Sequence, residues 1–297
     1  MSILSQTNHY RFNILDVISN RVSLYNYVED LNLYIKNKRL SVSVSVSVSV
    51  SVSVSLREIM LYARTICSGL PSEEEIIENL KSNNNTRDKG LTGKIIEYGL
   101  FGQKPNQDSS PDISKLGYDI KTCAFKSLIN GGKNAKERQT LTNCGSTKNY
   151  ETFKNISSTE KFSDCQYYSK SKRCILIVRN DDKIKLKTLD QLLNQTMLYI
   201  ICFDIEKLPY EVCEIINNDY AMIRRYILEE KVSQKGQTYL HIHPHGAGHG
   251  SGTRALGYTA NFITLIVALN IAEIYKKNIE DILIKKGRSV AIKDEYI

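Results

Sequence analysis

Segments typical of buried β-strands alternate with segments of helical periodicity over most of the 297-residue chain. The apolar runs Cys174–Val178 and Met197–Phe203 have the length and composition of buried strands. Helical patterns flank them at Leu186–Leu193 and Pro209–Leu228. Strands framed by helices in this way are typical of layered folds with a sheet at the centre. The sequence therefore predicts an α/β or α+β fold with a central mixed sheet flanked by helices.

The remaining elements follow from the same periodicities. Helical spacing predicts helices over Val22–Lys36, Arg57–Ser68, Ser72–Lys81, Gly93–Leu100 and Asn261–Lys276, the last of which is expected to close the fold. Ser72 and Glu75 have the spacing of a capping box, and Thr92 is expected to cap the helix that carries Glu97. Asn130–Asn149 is predicted to be a long surface loop, and Leu240–Ala255 is expected to be irregular.

A strict Ser-Val alternation occupies Ser41–Ser55. Its period of two is that of a strand with every valine on one face, whereas its low complexity is typical of an insertion outside the fold. A flat, uncharged, repetitive strand has no defined register. We interpret the repeat as a linker or a loosely held edge strand. This interpretation gives an N-terminal extension at residues 1–55 and a compact domain at residues 56–297.

Composition narrows the class of protein only in part. Forty Lys and Arg against 32 Asp and Glu leave a formal charge of +8, which suits a polyanionic partner but does not require one. The seven cysteines lack metal or redox spacing, which favours reduced thiols in a cytosol-like compartment. The apolar stretch Phe262–Ala272 is too short to span a bilayer, and residues 1–6 lack the pattern of a secretion signal. We therefore expect a cytoplasmic protein with no membrane partner.

One short pattern carries residues suited to catalysis: Pro111-Asp112, then six residues, then Asp119-Ile120-Lys121. A strand is predicted over Tyr118–Phe125, which puts Asp119 and Lys121 on the same face. Two carboxylates at neighbouring strand ends can hold a divalent cation, and a nearby lysine can orient an attacking water. On its own the spacing is more often that of two exposed aspartates and a solvated lysine at a sheet edge.

The surrounding residues make the pattern more specific. The ordered set consists of Arg87-Asp88-Lys89-Gly90, Gly93, Glu97, Pro111-Asp112 and Leu116-Gly117-Tyr118-Asp119-Ile120-Lys121-Thr122. In order and spacing, it resembles the catalytic block of the MutH family, which comprises a mismatch-repair nickase and restriction enzymes that cut at GATC. The resemblance is continuous over about residues 86–122. It implies a restriction-endonuclease-like core of the PD-(D/E)xK type.

The resemblance also implies roles for individual residues. Asp112 and Asp119 match the metal ligands, Glu97 matches a supporting carboxylate on a helix, Lys121 matches the residue that orients the water, and Lys89 matches an accessory basic residue near the phosphate. The family usually has glutamate where this chain has Asp119, so the carboxylate is kept but is one methylene shorter. The implied cofactor is Mg²⁺, for which Mn²⁺ can substitute.

Candidate DNA contacts lie further along the chain. The basic run at residues 168–173 resembles a basic segment of the family, which makes Lys170 a candidate phosphate contact. Residues 254–264 resemble the family's C-terminal recognition segment, in which Arg254 and Tyr258 would contact DNA. A half-buried core position is an equally good interpretation of Tyr258.

Four of the five histidines fall within nine residues: His241, His243, His245 and His249. Imidazoles at this spacing can converge on zinc. We favour a second interpretation, in which residues 236–264 form a DNA-recognition segment where His245 and Arg254 donate to base edges and phosphates.

These features together predict a Mg²⁺-dependent type II restriction endonuclease that cleaves double-stranded DNA at a short site, with GATC implied by the resemblance. Expected partners are a second copy of the chain on DNA and a cognate DNA methyltransferase. A mismatch-repair nicking enzyme remains an alternative, although the long Lys/Asn-rich loop and the His/Gly-rich segment depart from a compact repair enzyme. A non-catalytic DNA-binding module on the same scaffold is a further alternative.

Overall fold

The computed structural model describes residues 10–43, 53–81, 90–104, 110–129, 131–146, 150–181, 188–231, 235–245, 252–287 and 289–297. The helices are α1 (Ile14–Val17), α2 (Arg21–Ser43), α3 (Leu56–Ile66), α4 (Glu73–Lys81), α5 (Leu91–Phe101), α6 (Tyr150–Ser157), α7 (Tyr168–Ser171), α8 (Leu189–Leu193), α9 (Tyr210–Leu228), α10 (Ala260–Tyr275) and α11 (Ile279–Ile282). The strands are β1 (Phe12–Asn13), β2 (Val54–Ser55), β3 (Cys67–Ser68), β4 (Asp119–Ser127), β5 (Lys133–Ala135), β6 (Gln139–Ser146), β7 (Arg173–Asn180), β8 (Thr196–Asp204), β9 (Leu240–Pro244), β10 (Thr253–Tyr258), β11 (Leu283–Lys286) and β12 (Ser289–Ile292).

A seven-stranded mixed sheet forms the centre, in the order β11-β12-β5-β4-β7-β8-β2. Strands β4 and β7 are parallel, and the other neighbouring pairs in this sheet are antiparallel. A three-stranded antiparallel sheet, β6-β10-β9, and a short parallel pair, β1-β3, complete the described strands. The predicted mixed sheet flanked by helices is therefore confirmed.

The central strands separate two apolar cores because successive side chains point to opposite faces. Cys123 and Phe125 of β4 pack on one face with residues of α6, α9 and α10. Ile120 of β4 packs on the other face with residues of α2, α3 and α5. Burial on both faces explains why β7 and β8 are continuous apolar runs instead of alternating ones. A polar residue at the end of such a strand is consequently held in a fixed environment.

Helix α2 corrects the expected domain boundary at residue 56. Leu24, Tyr27 and Leu31 are fully buried in the same core as α3 and α5. The guanidinium of Arg39 donates to the carbonyl oxygen of Leu198 at 2.9 Å, and the side chain of Asn32 accepts from the amide of Ile200 at 3.3 Å. These contacts satisfy backbone groups of β8 beyond its short pairing with β2. The segment assigned to an N-terminal extension thus contributes a packed layer of the domain.

The ends of the Ser-Val repeat belong to regular elements. Ser41–Ser43 forms the end of α2, and β2 pairs with the start of β8, with Val54 opposite Met197. Val54 is buried, and Ser55 caps α3 through a capping box with Glu58. Residues 44–52 of the repeat lie outside the described residues.

Several predicted elements need correction. The expected loop Asn130–Asn149 contains β5 and β6, and the expected irregular stretch Leu240–Ala255 contains β9 and the start of β10. The glycines, asparagines and histidines of these segments obscure the strand periodicity. The segments nevertheless form strands because they pair with neighbouring strands in the folded chain. Helix α10 is followed by the β11-β12 hairpin and does not close the fold. The capping box of Ser72 and Glu75 is confirmed by hydrogen bonds in both directions.

The start of α5 also differs from the prediction. The helix begins at Leu91 with Gly90 at the N-cap position, so Thr92 does not cap it. Thr92 is buried, and its hydroxyl accepts a hydrogen bond from the side-chain amide of Gln195 at 3.2 Å. The hydroxyl of Thr92 therefore forms a tertiary hydrogen bond with Gln195 and not the local helix cap that the sequence pattern predicted.

All seven cysteines are free thiols, as expected for a reduced protein. Within the described ranges, no helix combines the length and apolar character needed to cross a bilayer.

The packing of α2 can be tested with a pair of leucine substitutions. Leu31→Ala should lower the free energy of unfolding by about 2–5 kcal/mol, because it leaves a cavity in a fully packed core. Leu33→Ala is the matched control, since Leu33 is 38% exposed on the same helix and should cost roughly 0.5 kcal/mol or less. Urea unfolding measures both values. Equal, small effects would mean that α2 is not part of the domain core.

Candidate active site

The candidate site begins at the first residue of β4. Asp119 is buried, with only 1% of its side chain exposed, and its carboxylate forms an ion pair with the ammonium of Lys121 two residues further along the same strand face. Apart from this ion pair, both carboxylate oxygens of Asp119 are buried without a hydrogen-bond donor. A buried carboxylate with one ammonium group as its partner is costly, because that group replaces only part of the water that the carboxylate loses on burial. Its position therefore suggests a ligand that the protein itself does not provide.

A tight turn places Asp112 beside this strand. The turn runs from Ile113 to Tyr118, which form an isolated antiparallel bridge, and Gly117 within it has a positive φ of 70°. The carboxylate of Asp112 accepts a hydrogen bond from the amide of Ile120 at 2.7 Å. This bond links the turn to β4 and brings the carboxylates of Asp112 and Asp119 to the same end of the strand.

Glu97 completes the acidic group from the side of α5. Burial and the nearby Asp112 carboxylate raise the pKa of Glu97 to about 7. Burial also raises the pKa of Asp119 to about 6, although Lys121 acts in the opposite direction. Burial alone would lower the pKa of Lys121, but the Asp119 carboxylate raises it, so the lysine stays charged. The predicted four residues, Glu97, Asp112, Asp119 and Lys121, therefore lie close enough to influence one another's charge.

The donor set fits a hard divalent cation. Carboxylate oxygens are the ligands that Mg²⁺ and Mn²⁺ prefer, and the unsatisfied oxygens of Asp119 provide such donors. Within the described ranges, however, no group of three His, Cys, Asp or Glu side chains is arranged to hold a metal ion. The ammonium of Lys121 and the amide of Ile120 instead occupy carboxylate oxygens of Asp119 and Asp112. Binding a cation would therefore require Lys121 to move away from Asp119.

Two further basic residues were predicted for this site. Lys170 lies on α7, and its positive charge acts to lower the pKa of Asp119, which places it near the acidic group. Lys89 lies outside the described residues, so its predicted position near the phosphate stays a prediction.

The predicted DNA-recognition residues lie on the three-stranded sheet. His245 follows β9 and donates its backbone amide to the carbonyl of Thr253 at 2.9 Å, whereas Arg254 lies within β10, half-buried. Tyr258 is fully buried, and its hydroxyl donates to the carbonyl oxygen of Ser171 at 3.0 Å. The assignment of Tyr258 as a DNA contact is therefore wrong, because its side chain is a core residue that joins β10 to α7.

The histidine cluster gives no support to the zinc alternative. His241 and His243 pack against each other with ring centroids 4.7 Å apart, and burial lowers their pKa values to about 4 and about 3. Neither belongs to a metal-binding group among the described residues. His249 lies outside them. Both rings are therefore neutral at physiological pH.

The sequence did not identify the residues that hold the far side of the turn. Tyr118 donates its hydroxyl to that of Tyr25 on α2 at 2.8 Å, across 93 residues. Asp204, which is almost fully buried, accepts from the guanidinium groups of Arg173 at 2.8 Å and Arg21 at 3.1 Å. No local pattern signals these contacts, because each joins elements far apart in the chain.

Comparison with known proteins agrees with this geometry. Residues 101–211 match the family model described as "DNA mismatch repair enzyme MutH". The match includes Asp112, Asp119, Lys121 and Lys170, and Glu97 lies just outside it. The resemblance to the MutH family is therefore confirmed over this segment, which contains strands β4, β5, β7 and β8 of the mixed sheet.

A second comparison concerns a curated enzyme. The chain is 28% identical over 225 residues to the type II restriction enzyme Sau3AI of Staphylococcus aureus. The aligned region covers 67% of this chain and 43% of that enzyme. The chain thus spans less than half the length of the relative that it matches.

The buried acidic group predicts a pH-dependent stability. A folded-state pKa of about 7 for Glu97, above its value of 4.5, means that stability present below pH 4.5 is lost as the pH rises through 7. Glu97→Gln removes this loss. The variant should match the wild type at pH 4 and exceed its free energy of unfolding by about 2 kcal/mol at pH 8.

Denaturant unfolding in EDTA at the two pH values measures this difference. Glu214→Gln, at an exposed position of α9, is the matched control. A Glu97→Gln variant that is no more stable than the wild type at pH 8 would contradict the electrostatic description of the site.

Proposed function

We propose that this chain is a divalent-metal-dependent DNA endonuclease that acts as a type II restriction enzyme on double-stranded DNA. The observation that carries the proposal is the buried carboxylate of Asp119 beside the ammonium of Lys121, with the carboxylates of Asp112 and Glu97 close enough to interact with it electrostatically. Similarity to the MutH family model and to a restriction enzyme supports the same activity.

Asp112 and Asp119 would hold the cation, and Glu97 would support it from α5. Mg²⁺ is the proposed ion, with Mn²⁺ as a substitute, and when bound it would supply charge neutralisation at the phosphate and a more acidic water. The remaining chemistry belongs to the side chains. Lys121, released from Asp119, would orient the attacking water and donate to a phosphate oxygen, where negative charge builds up. The expected products are 5′-phosphate and 3′-hydroxyl ends.

Positive side chains would bind the DNA backbone around this centre. Lys170 is proposed as a phosphate contact because its charge already acts on Asp119. Lys89 is also proposed as a phosphate contact, and this proposal rests only on the resemblance of its sequence motif to the family. Both proposals predict weaker binding at high salt, as for other contacts that neutralise phosphates.

Base recognition is proposed for the segment 236–264, without Tyr258. A cleft of about 870 Å³ lies there, and its lining includes Arg138, His241, His243 and His245. Neutral imidazoles can both donate and accept hydrogen bonds, as base edges require, and Arg254 lies on the neighbouring strand. GATC is the proposed site. This choice rests on the family resemblance and not on the shape of the cleft.

Two activities compete within the endonuclease class. A restriction enzyme cuts both strands without help, which requires two copies on DNA or two successive cuts. A mismatch-repair nicking enzyme, favoured by the description of the matching family, cuts one strand and depends on a repair partner. We propose restriction, with a second copy of the chain and a cognate DNA methyltransferase as partners inside the cell.

Cleavage of plasmid DNA tests the proposal. The wild-type protein with Mg²⁺ should convert supercoiled plasmid to linear DNA, and EDTA should prevent it. Asp119→Ala and Lys121→Ala should each lower the rate by roughly 10²–10³-fold or more, as when one charge-stabilising donor is removed from other enzymes. Lys126→Ala, on the opposite face of β4, is the matched control and should keep most of the activity.

The same assay separates the alternatives. Accumulation of nicked circles without linear product would favour the nicking enzyme over restriction. If the chain is instead a non-catalytic DNA-binding module, Asp119→Ala should leave its DNA binding unchanged. If no divalent cation supports cleavage of any DNA by the wild-type protein, the proposed activity is wrong.

A further inference from the structure

The N-terminal helix α2 reaches the candidate active site through a single pair of side chains. Tyr25 is half-buried on α2, and Tyr118 is fully buried directly before Asp119. The hydroxyl of Tyr118 donates to the hydroxyl of Tyr25 at 2.8 Å, and the two rings meet edge to face with centroids 6.2 Å apart. Helix α2 lies outside the segment that matches the MutH family model. This contact therefore joins the matched segment, which contains Tyr118, to a helix outside it.

We propose that Tyr25 is a positioning residue for the candidate active site: it fixes Tyr118, and through Tyr118 the turn that carries Asp112 and the start of β4 that carries Asp119. The inference rests on the proposed function for the role of that site. If the inference is correct, catalysis requires helix α2 in addition to the residues of the site itself.

The hydrogen bonds of the turn show how this effect would be transmitted. The amide of Ile113 donates to the carbonyl oxygen of Tyr118 at 2.9 Å, so the backbone of Tyr118 closes the turn. Asp112 directly precedes Ile113, and its carboxylate accepts from the amide of Ile120 on the other side of Tyr118. A displacement of Tyr118 would consequently move both carboxylates relative to each other.

A network of charged side chains lies near the same turn. A Cβ atom placed on Gly117 would lie 3.5 Å from a guanidinium nitrogen of Arg173. Asp204 holds Arg173, and it also binds Arg21, which lies one helical turn before Tyr25 on α2. The hydrogen bond between Tyr25 and Tyr118 joins α2 directly to the turn, whereas Arg21 reaches its surroundings through Asp204 and Arg173. The tyrosine pair is therefore the contact to test.

The test is a double-mutant cycle on the hydroxyl groups in the full chain. Tyr25→Phe keeps the ring contact but leaves the buried hydroxyl of Tyr118 without its acceptor, which costs more than losing both partners. Tyr118→Phe leaves a half-exposed hydroxyl on Tyr25 that water can reach. We therefore expect Tyr25→Phe to be the more severe change, and the double variant to recover to the level of Tyr118→Phe.

Two measurements read out the cycle. In Tyr25→Phe, amide hydrogen exchange at Ile113 and Ile120 should accelerate about tenfold more than exchange at Leu176 in the central strand β7, whose rate reports only the loss of global stability. In DNA cleavage with Mg²⁺, kcat should fall about tenfold and KM should change less than about twofold, because positioning affects the transition state more than DNA binding. Tyr34→Phe removes a hydroxyl from α2 about 13 Å further along the helix and should change neither quantity.

The outcomes decide the inference independently of the proposed activity. Unchanged exchange at Ile113 and Ile120 overturns it, whatever the cleavage rate does. An equal acceleration at Leu176, Ile113 and Ile120 overturns it too, since the hydroxyl would then contribute only to global stability. If the wild-type protein cleaves no DNA, the proposed function fails. The amide exchange rates of the wild type, the two single variants and the double variant still decide whether Tyr25 positions the turn.

Discussion

The ion pair between Asp119 and Lys121 is the interaction on which the arrangement of this site depends. A carboxylate buried at the start of a central strand costs on the order of several kcal/mol unless an opposite charge or hydrogen-bond donors compensate it. Here the compensation comes from one ammonium group two residues away, and no other donor among the described residues forms a hydrogen bond with either carboxylate oxygen. The pKa of Asp119 is raised by burial even so. The fold thus keeps a destabilising acidic group in place, as expected where function requires an ion to share that charge.

The fold supplies the rigidity that such a group needs. Strand β4 is covered on both faces, with Ile120 in one core and Cys123 in the other. Its parallel neighbour β7 aligns Cys174 with Asp119, so the carboxylate lies at the edge of a densely packed layer. Helix α2 covers the second core and reaches the turn before β4. Residues before the Ser-Val repeat therefore belong to the same structural unit as the site.

Local spacing placed Asp119 and Lys121 on one strand face close to Asp112, but it became a specific prediction of an acidic group only together with the family resemblance. Glu97 required the family resemblance, since nothing in its own helix marks it as a site residue. The contacts of Tyr25 with Tyr118 and of Arg21 with Asp204 could not be predicted, because they join positions 93 and 183 residues apart. Strands β6, β9 and β10 were missed because their polar, glycine-containing sequences form strands only through pairing with one another. Tyr258 was misassigned for a related reason: its burial depends on α7 and α10, which no local pattern reveals.

The most direct test of the central claim is the location of Mn²⁺ by anomalous X-ray scattering from crystals of the protein grown with that ion. If the acidic group is a cation site, a Mn²⁺ peak should lie between the carboxylates of Asp112 and Asp119, with the ammonium of Lys121 moved off Asp119. The account would be contradicted if the Asp119–Lys121 pair stayed intact while Mn²⁺ bound elsewhere, for example at His241 and His243.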